Sequence, residues 1–180
     1  GGSFFTDIGE IFYVSFEDQR IYYCKSENDS FSQPVALTPA YDAEHSHRFT
    51  DFCIDRKRNR LFCVMEEHSP DHQEPVNTIV AIPIRSASED GRIADPLVVA
   101  SGFDFYSSPR LSPDGETLAY LCWRHPNMPW DGCELYVQSA DTVEPSGLQQ
   151  NCRLVAGGPD CSVFQPQWSR DGKLFYISDH

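Results

Sequence analysis

Three features of the 180-residue sequence predict an all-β fold. Its apolar runs are short, strand-length, and rich in β-branched and aromatic residues. No window of about twelve residues combines apolar spacing of 3.6 with helix caps. A strand–turn–strand pattern also recurs at a constant offset of 57 residues. The runs, in chain order, are Ile11–Phe16, Arg20–Cys24, Arg60–Met65, Asn77–Ile84, Thr117–Trp123, Glu134–Gln138 and Lys173–Ser178. Each is bounded by Asp, Gly, Asn, Ser or Pro, the residues that end strands in turns.

The recurrence is clearest between Phe105–Leu121 (FYSSPRLSPDGETLAYL) and Phe164–Ile177 (FQPQWSRDGKLFYI). Aligning Pro109 with Pro166 also pairs Ser112 with Ser169, Asp114 with Asp171 and Gly115 with Gly172. The same shift backwards pairs Ile54-Asp55-Arg56-Lys57-Arg58 with Leu111-Ser112-Pro113-Asp114-Gly115. A weaker copy is Phe4–Val14, with Asp7-Ile8-Gly9 as its turn. The turn has a mechanical logic. Pro113 presets φ, Asp114 can bond its own backbone, and Gly115 and Gly172 accept positive φ. An apolar strand follows at once, so the unit is a hairpin. A longer connection and two more strands follow, such as Glu134–Gln138 and Arg153–Ala156. Four strands per period of about 50 residues is a propeller blade of WD40-like repeat length. The prediction is therefore a partial β-propeller of about three and a half four-stranded antiparallel blades over residues 1–180. Drafted blades are 3–38, 49–100 and 105–156, with a half-blade at 163–180. Closed propellers have roughly four to eight blades, so open blade edges and self-association through them are expected.

Composition narrows the function. The chain is 40% hydrophobic, enough to bury a core, so disorder is not expected. No apolar run reaches the ~18–20 residues of a membrane span, and no signal peptide is visible in these residues. The net charge of −13 (14 Lys+Arg against 27 Asp+Glu) argues against nucleic-acid partners and against anionic membrane surfaces. Seven Cys form no C-x-x-C pair, so zinc-ribbon and thioredoxin chemistry have no support. Cys53, Cys63, Cys122 and Cys133 lie in or beside strand-like runs and read as reduced, packed thiols, hence a cytoplasmic setting. Cross-strand disulfides between Cys53 and Cys63 or between Cys122 and Cys133 remain open to geometry.

The residues also carry a resemblance. Asp104–Gly132, Ser162–Asp179 and Gly1–Cys24 resemble the N-terminal β-propeller of the prolyl oligopeptidase family of serine peptidases. The closest branch looks like the acylaminoacyl-peptidase and dipeptidyl-aminopeptidase-like enzymes. The resemblance covers essentially the whole chain, and Tyr106–Leu121 with His125–Gly132 carries it most specifically. It implies further blades, a C-terminal α/β-hydrolase domain with a Ser–Asp–His triad, and a propeller that gates short-peptide substrates. These 180 residues contain no G-x-S-x-G elbow and no strand–helix alternation, so they hold no hydrolase domain and no catalytic residue is assigned. No cofactor is expected. The alternative is a stand-alone propeller-type module that binds protein partners.

Site candidates come from two loops that the offset makes equivalent, Glu66–Val76 and Trp123–Asp131. Equivalent loops emerge on one face of a propeller, and loops held by a rigid scaffold often bind. Glu66, Glu67, Arg124, His125, Trp130 and Asp131 are the candidates for contact with substrate or with the hydrolase domain. The competing reading is that Trp130 and Met128 only cover the blade. The His45-Ser46-His47 and His68–His72 pairs, with Asp71 and Glu74, fall in irregular loops, so no metal site is assigned. Cys161 and Ser107 have no base placed beside them and are not read as nucleophiles.

Overall fold

In a computed structural model of the chain, residues 3–28, 30–41, 46–71, 73–84, 93–141 and 152–179 are described. His45 and His72 of the two histidine pairs lie outside them. The described residues form strands and turns in three complete sheets and one strand pair. The first sheet holds β1 (Phe4–Asp7), β2 (Glu10–Val14), β3 (Ile21–Glu27) and β4 (Ser30–Phe31), with β5 (Val35–Ala36) also on β3. The second runs β6 (His47–Asp55), β7 (Arg60–Glu67), β8 (Val76–Pro83), β9 (Leu97–Ala100). The third runs β10 (Phe105–Leu111), β11 (Thr117–Trp123), β12 (Glu134–Ser139), β13 (Cys152–Gly157). β14 (Val163–Trp168) and β15 (Leu174–Ser178) form the strand pair. Every pairing is antiparallel, and all but β5 on β3 join strands that are neighbours in the chain. This is the expected all-β partial propeller.

The central strands explain why their runs are apolar throughout rather than alternating. In β7, Leu61, Cys63 and Met65 pack toward the first blade, while Phe62 and Val64 pack toward the third. In β11, Leu118, Tyr120 and Cys122 face the second blade, and Ala119 and Leu121 face β14–β15. A strand buried on both faces must be apolar at every position. Each fully buried Leu, Ile or Phe contributes about 1.5–3 kcal/mol. One polar bridge crosses this packing. The Tyr120 hydroxyl donates to Gln138 Oε1 at 2.9 Å, and Gln138 Nε2 donates to the Val99 carbonyl at 3.0 Å.

The repeated turns form by the expected mechanism. Ser112 Oγ donates to Asp114 Oδ1 at 2.5 Å and accepts from Thr117 N at 2.9 Å. Ser169 repeats this with Asp171 Oδ1 at 2.5 Å and Lys173 N at 3.0 Å. The hydroxyl hydrogen bond holds both aspartates below the usual carboxylate range. Gly115 and Gly172 take φ of 75° and 80°.

The second blade replaces this hydroxyl turn with a buried carboxylate. Asp55, at the Ser112 position, is fully buried and accepts from Arg58 N at 3.1 Å. Its Oδ2 binds Arg58 Nη1 at 3.2 Å and Arg60 Nε at 2.9 Å. From that anchor the basic turn reaches both neighbours. Arg56 pairs with Asp7 at 2.6 Å and with Glu10 in the first blade. Arg58 pairs with Asp141 at 2.5 Å and donates to the Gly115 carbonyl at 2.7 Å, and Lys57 pairs with Glu116. One turn thus clasps three blades.

Candidate functional site

The loops predicted to carry function emerge after β7 and β11, and the connection that leads into β10 joins them. Asn77, opposite Glu66 in the β7–β8 register, donates from Nδ2 to the Asp104 carbonyl at 2.9 Å. Asp104 Oδ2 accepts from His125 N at 2.8 Å. Glu66 itself binds Arg48 Nη1 at 3.3 Å and His68 Nε2 at 2.5 Å through one oxygen. Glu67 stands opposite His47 across β6–β7. His47 stacks on Tyr41 at 3.6 Å, and burial holds its pKa below the ordinary imidazole value.

The second loop is tied at both ends. Arg124 Nη1 donates to the Gly102 carbonyl at 2.6 Å, and its guanidinium lies 4.0 Å over the Phe103 ring. The His125 ring meets Phe105 edge-on at 4.8 Å. Asp131 Oδ2 accepts from Met128 N at 2.9 Å and closes the tip. On the far side, Asn127 Nδ2 donates to the Pro159 carbonyl at 2.6 Å and Ser162 Oγ donates to the Pro129 carbonyl at 2.7 Å. Gly132 is required here because a Cβ would overlap the Pro159 carbonyl. Arg124, His125 and Asp131 therefore spend polar groups in holding the loop. Trp130 is left 62% exposed and Met128 47% exposed, presented on a fixed frame. Exposed aromatic side chains on a pre-ordered loop suit an interface, because little entropy is lost on contact.

A second feature, which sequence reasoning missed, lies on the first strand of the second and third blades and of the final strand pair. β6, β10 and β14 each carry a bulge, between Thr50 and Cys53, Ser107 and Arg110, and Phe164 and Gln167. Within the bulges Asp51, Ser108 and Gln165 take positive φ of 60°, 52° and 52°. These three positions are again 57 apart, each followed by a large or cyclic residue (Phe52, Pro109, Pro166). Bulges with left-handed non-glycine residues are built features that re-aim side chains, often beside sites. Here they stitch adjacent blades. Asp51 Oδ2 accepts from Ser108 N at 2.5 Å, and Asp51 Oδ1 lies 3.4 Å from Arg110 Nη1. Leu111 N donates to Cys53 Sγ at 3.2 Å, and Trp168 Nε1 donates to the Arg110 carbonyl at 2.9 Å.

Two hollows open along these strands. One of about 600 Å³ is lined by Phe4, Phe52, Arg56, Lys57, Arg110 and Asp114, among others. The other, about 740 Å³, is lined by Ser107, Arg110, Trp123, Gln165, Gln167 and Tyr176, among others. None of the seven cysteines is joined in a disulfide. Burial pushes Cys53 and Cys133 up to about 11 and raises Cys63 and Cys122 further, so these are neutral packing groups. Among the described residues no cluster of three His, Cys, Asp or Glu side chains gathers to hold a metal.

A peptidase from Mycobacterium tuberculosis that hydrolyses puromycin superimposes on 99% of the chain, with 32% identity and a TM-score of 0.78. The chain resembles a stretch of the propeller of prolyl oligopeptidase-type serine peptidases. A puromycin hydrolase superimposes on 99% of this propeller stretch, with 27% identity and a TM-score of 0.79. A prolyl endopeptidase shares the fold at 16% identity and a TM-score of 0.63 over 98% of the chain. The propeller stretch spans only 27%, 28% and 26% of those three chains. No protein-family model and no curated protein sequence matches it.

Proposed function

We propose that this chain is part of the substrate-gating propeller of a serine peptidase of the acylaminoacyl-peptidase-like kind. Further blades and a C-terminal α/β-hydrolase domain complete that enzyme, which hydrolyses short peptides in the cytoplasm. The propeller walls the cavity and excludes folded proteins by size, and the triad belongs to the hydrolase domain. The observation that carries the reading is the match over 99% of the chain, at 32% identity, to a puromycin-hydrolysing peptidase. The fixed loop that presents Trp130 and Met128 supports a contact between this face and the hydrolase domain.

The test uses the natural protein that contains these residues. It is expected to cleave short acylated peptide amides, to leave a folded protein intact, and to lose activity to a serine-directed phosphonylating reagent. Trp130→Ala should change kcat or KM while the unfolding midpoint stays in place. Absence of hydrolysis would refute the peptidase reading in favour of an interaction module. Unchanged kinetics in the Trp130 variant would remove that side chain from the interface.

A further inference from the structure

We infer that Arg110 of β10 is a carboxylate-binding group, taking the carboxylate of a short peptide. The inference rests on the peptidase-propeller reading and names a feature of its ligand. Arg110 lines both the 600 Å³ hollow and the 740 Å³ hollow. Its side chain is 31% exposed, neither free in solvent nor sealed in the core. Only Nη1 is engaged, with the Pro109 carbonyl at 2.8 Å and Asp51 Oδ1 at 3.4 Å. Among the described residues Nε and Nη2 have no hydrogen-bond partner. That edge of a guanidinium is the one that grips a carboxylate through two parallel N–H···O bonds.

The surroundings favour this group over the other cations of the first hollow. Arg56 is committed to Asp7 and Glu10, and Lys57 to Glu116. Asp51 faces Arg110, but its Oδ2 is already taken by Ser108 N at 2.5 Å and its Oδ1 contact is long. Asp51 thereby aims the guanidinium without covering its open edge. Trp168 fixes the Arg110 main chain through its carbonyl. Ser107, Gln165 and Gln167 add amide and hydroxyl groups in the second hollow, and Trp123 and Tyr176 add aromatic surface. A peptide needs both, polar partners for its main chain and apolar surface for its side chains. Against a net charge of −13, a carboxylate settles only where open cationic donors meet it.

The test is equilibrium binding, followed by calorimetry and by tryptophan fluorescence, on the natural protein that carries these residues. The probes are an N-methylated, cleavage-resistant acetyl tripeptide with a free C-terminus, its C-terminal amide, and an amidated analogue with a glutamate side chain. Because nothing is cleaved, the readout survives even where the protein proves to have no peptidase activity. The free acid should bind at least tenfold more tightly than the amide. Arg110→Gln should abolish that preference, Arg110→Lys should keep part of it, and Lys57→Gln should leave it intact. Tight binding of the glutamate analogue upholds Arg110 and puts the carboxylate on the side chain. Weak binding of it upholds Arg110 and puts the carboxylate at the terminus. Equal binding of acid and amide, no binding of either, or a preference that survives Arg110→Gln overturns the inference. If circular dichroism shows Arg110→Gln unfolded, the acid–amide contrast in wild type and its reduction in Arg110→Lys decide.

Discussion

The clasp around Asp55 makes the sharpest stability prediction. Asp55→Ala removes a fully buried carboxylate that accepts from Arg58 N, Arg58 Nη1 and Arg60 Nε. Removing one partner of a buried pair costs about 3–5 kcal/mol, because the remaining charge is left uncompensated. Both guanidiniums keep other acceptors: Arg58 has Asp141 and the Gly115 carbonyl, and Arg60 has the Ala140 carbonyl and the Phe62 ring at 4.6 Å. The expected loss therefore sits at the low end, about 3 kcal/mol, which for a chain of this size lowers Tm by roughly 6–12 °C. Asp55→Asn keeps an acceptor for Arg58 N and should lose less. Asp141→Ala, at the open end of the same guanidinium, should leave the midpoint near wild type, since that carboxylate is 68% exposed. The assay is urea unfolding followed by tryptophan fluorescence, with thermal melts alongside. A loss under about 1 kcal/mol for Asp55→Ala would show that the clasp behaves as a surface pair and would refute the reasoning.

Other outcomes follow from the same geometry. Gly157→Ala should destabilise strongly, because φ is 88° and a Cβ would overlap the Cys133 carbonyl; an unchanged midpoint would contradict that contact. Glu10 is pushed up by burial, but hydrogen bonds from Tyr23 and Arg56 outweigh this and hold its pKa below 4.5. Its contribution is thus full above pH 4.5 and fades as pH falls through the folded value, so Glu10→Gln should flatten the acid limb of a stability–pH curve. Native protein at pH 8 should react with a thiol reagent at Cys152 and Cys161 before the buried Cys63, Cys122 and Cys133, as read by mass spectrometry. Trp168→Phe removes the indole bond to the Arg110 carbonyl and should cost about 1 kcal/mol, measured in urea.

Local chemistry was legible in the sequence because its causes are local. The Ser112 and Ser169 turns, the Asp7-Ile8-Gly9 turn and the strand at Thr117–Trp123 are written in neighbouring residues, and the structure forms each of them. The offset of 57 also placed Asp55 opposite Ser112, although not its burial or its two arginine partners. The loop candidates were found by the same alignment, but their partners were not. Arg124 meets Gly102, and Asn127 meets Pro159, only once three consecutive sheets are stacked.

The bulges stayed hidden for a different reason. Asp51, Ser108 and Gln165 share a positive φ but no residue type, and none is glycine, so no composition rule marks them. The faint signal was their common place before Phe52, Pro109 and Pro166. By itself the sequence determined strands, hairpin turns and the blade period, since each depends on short apolar runs and turn residues within a few positions, repeated at a fixed offset. Tertiary structure alone decided that Arg56 meets Asp7, that Asp51 meets Ser108, and that Arg110 lines both hollows. Those contacts join residues about one blade apart, and only the packing of sheet against sheet brings such groups within reach.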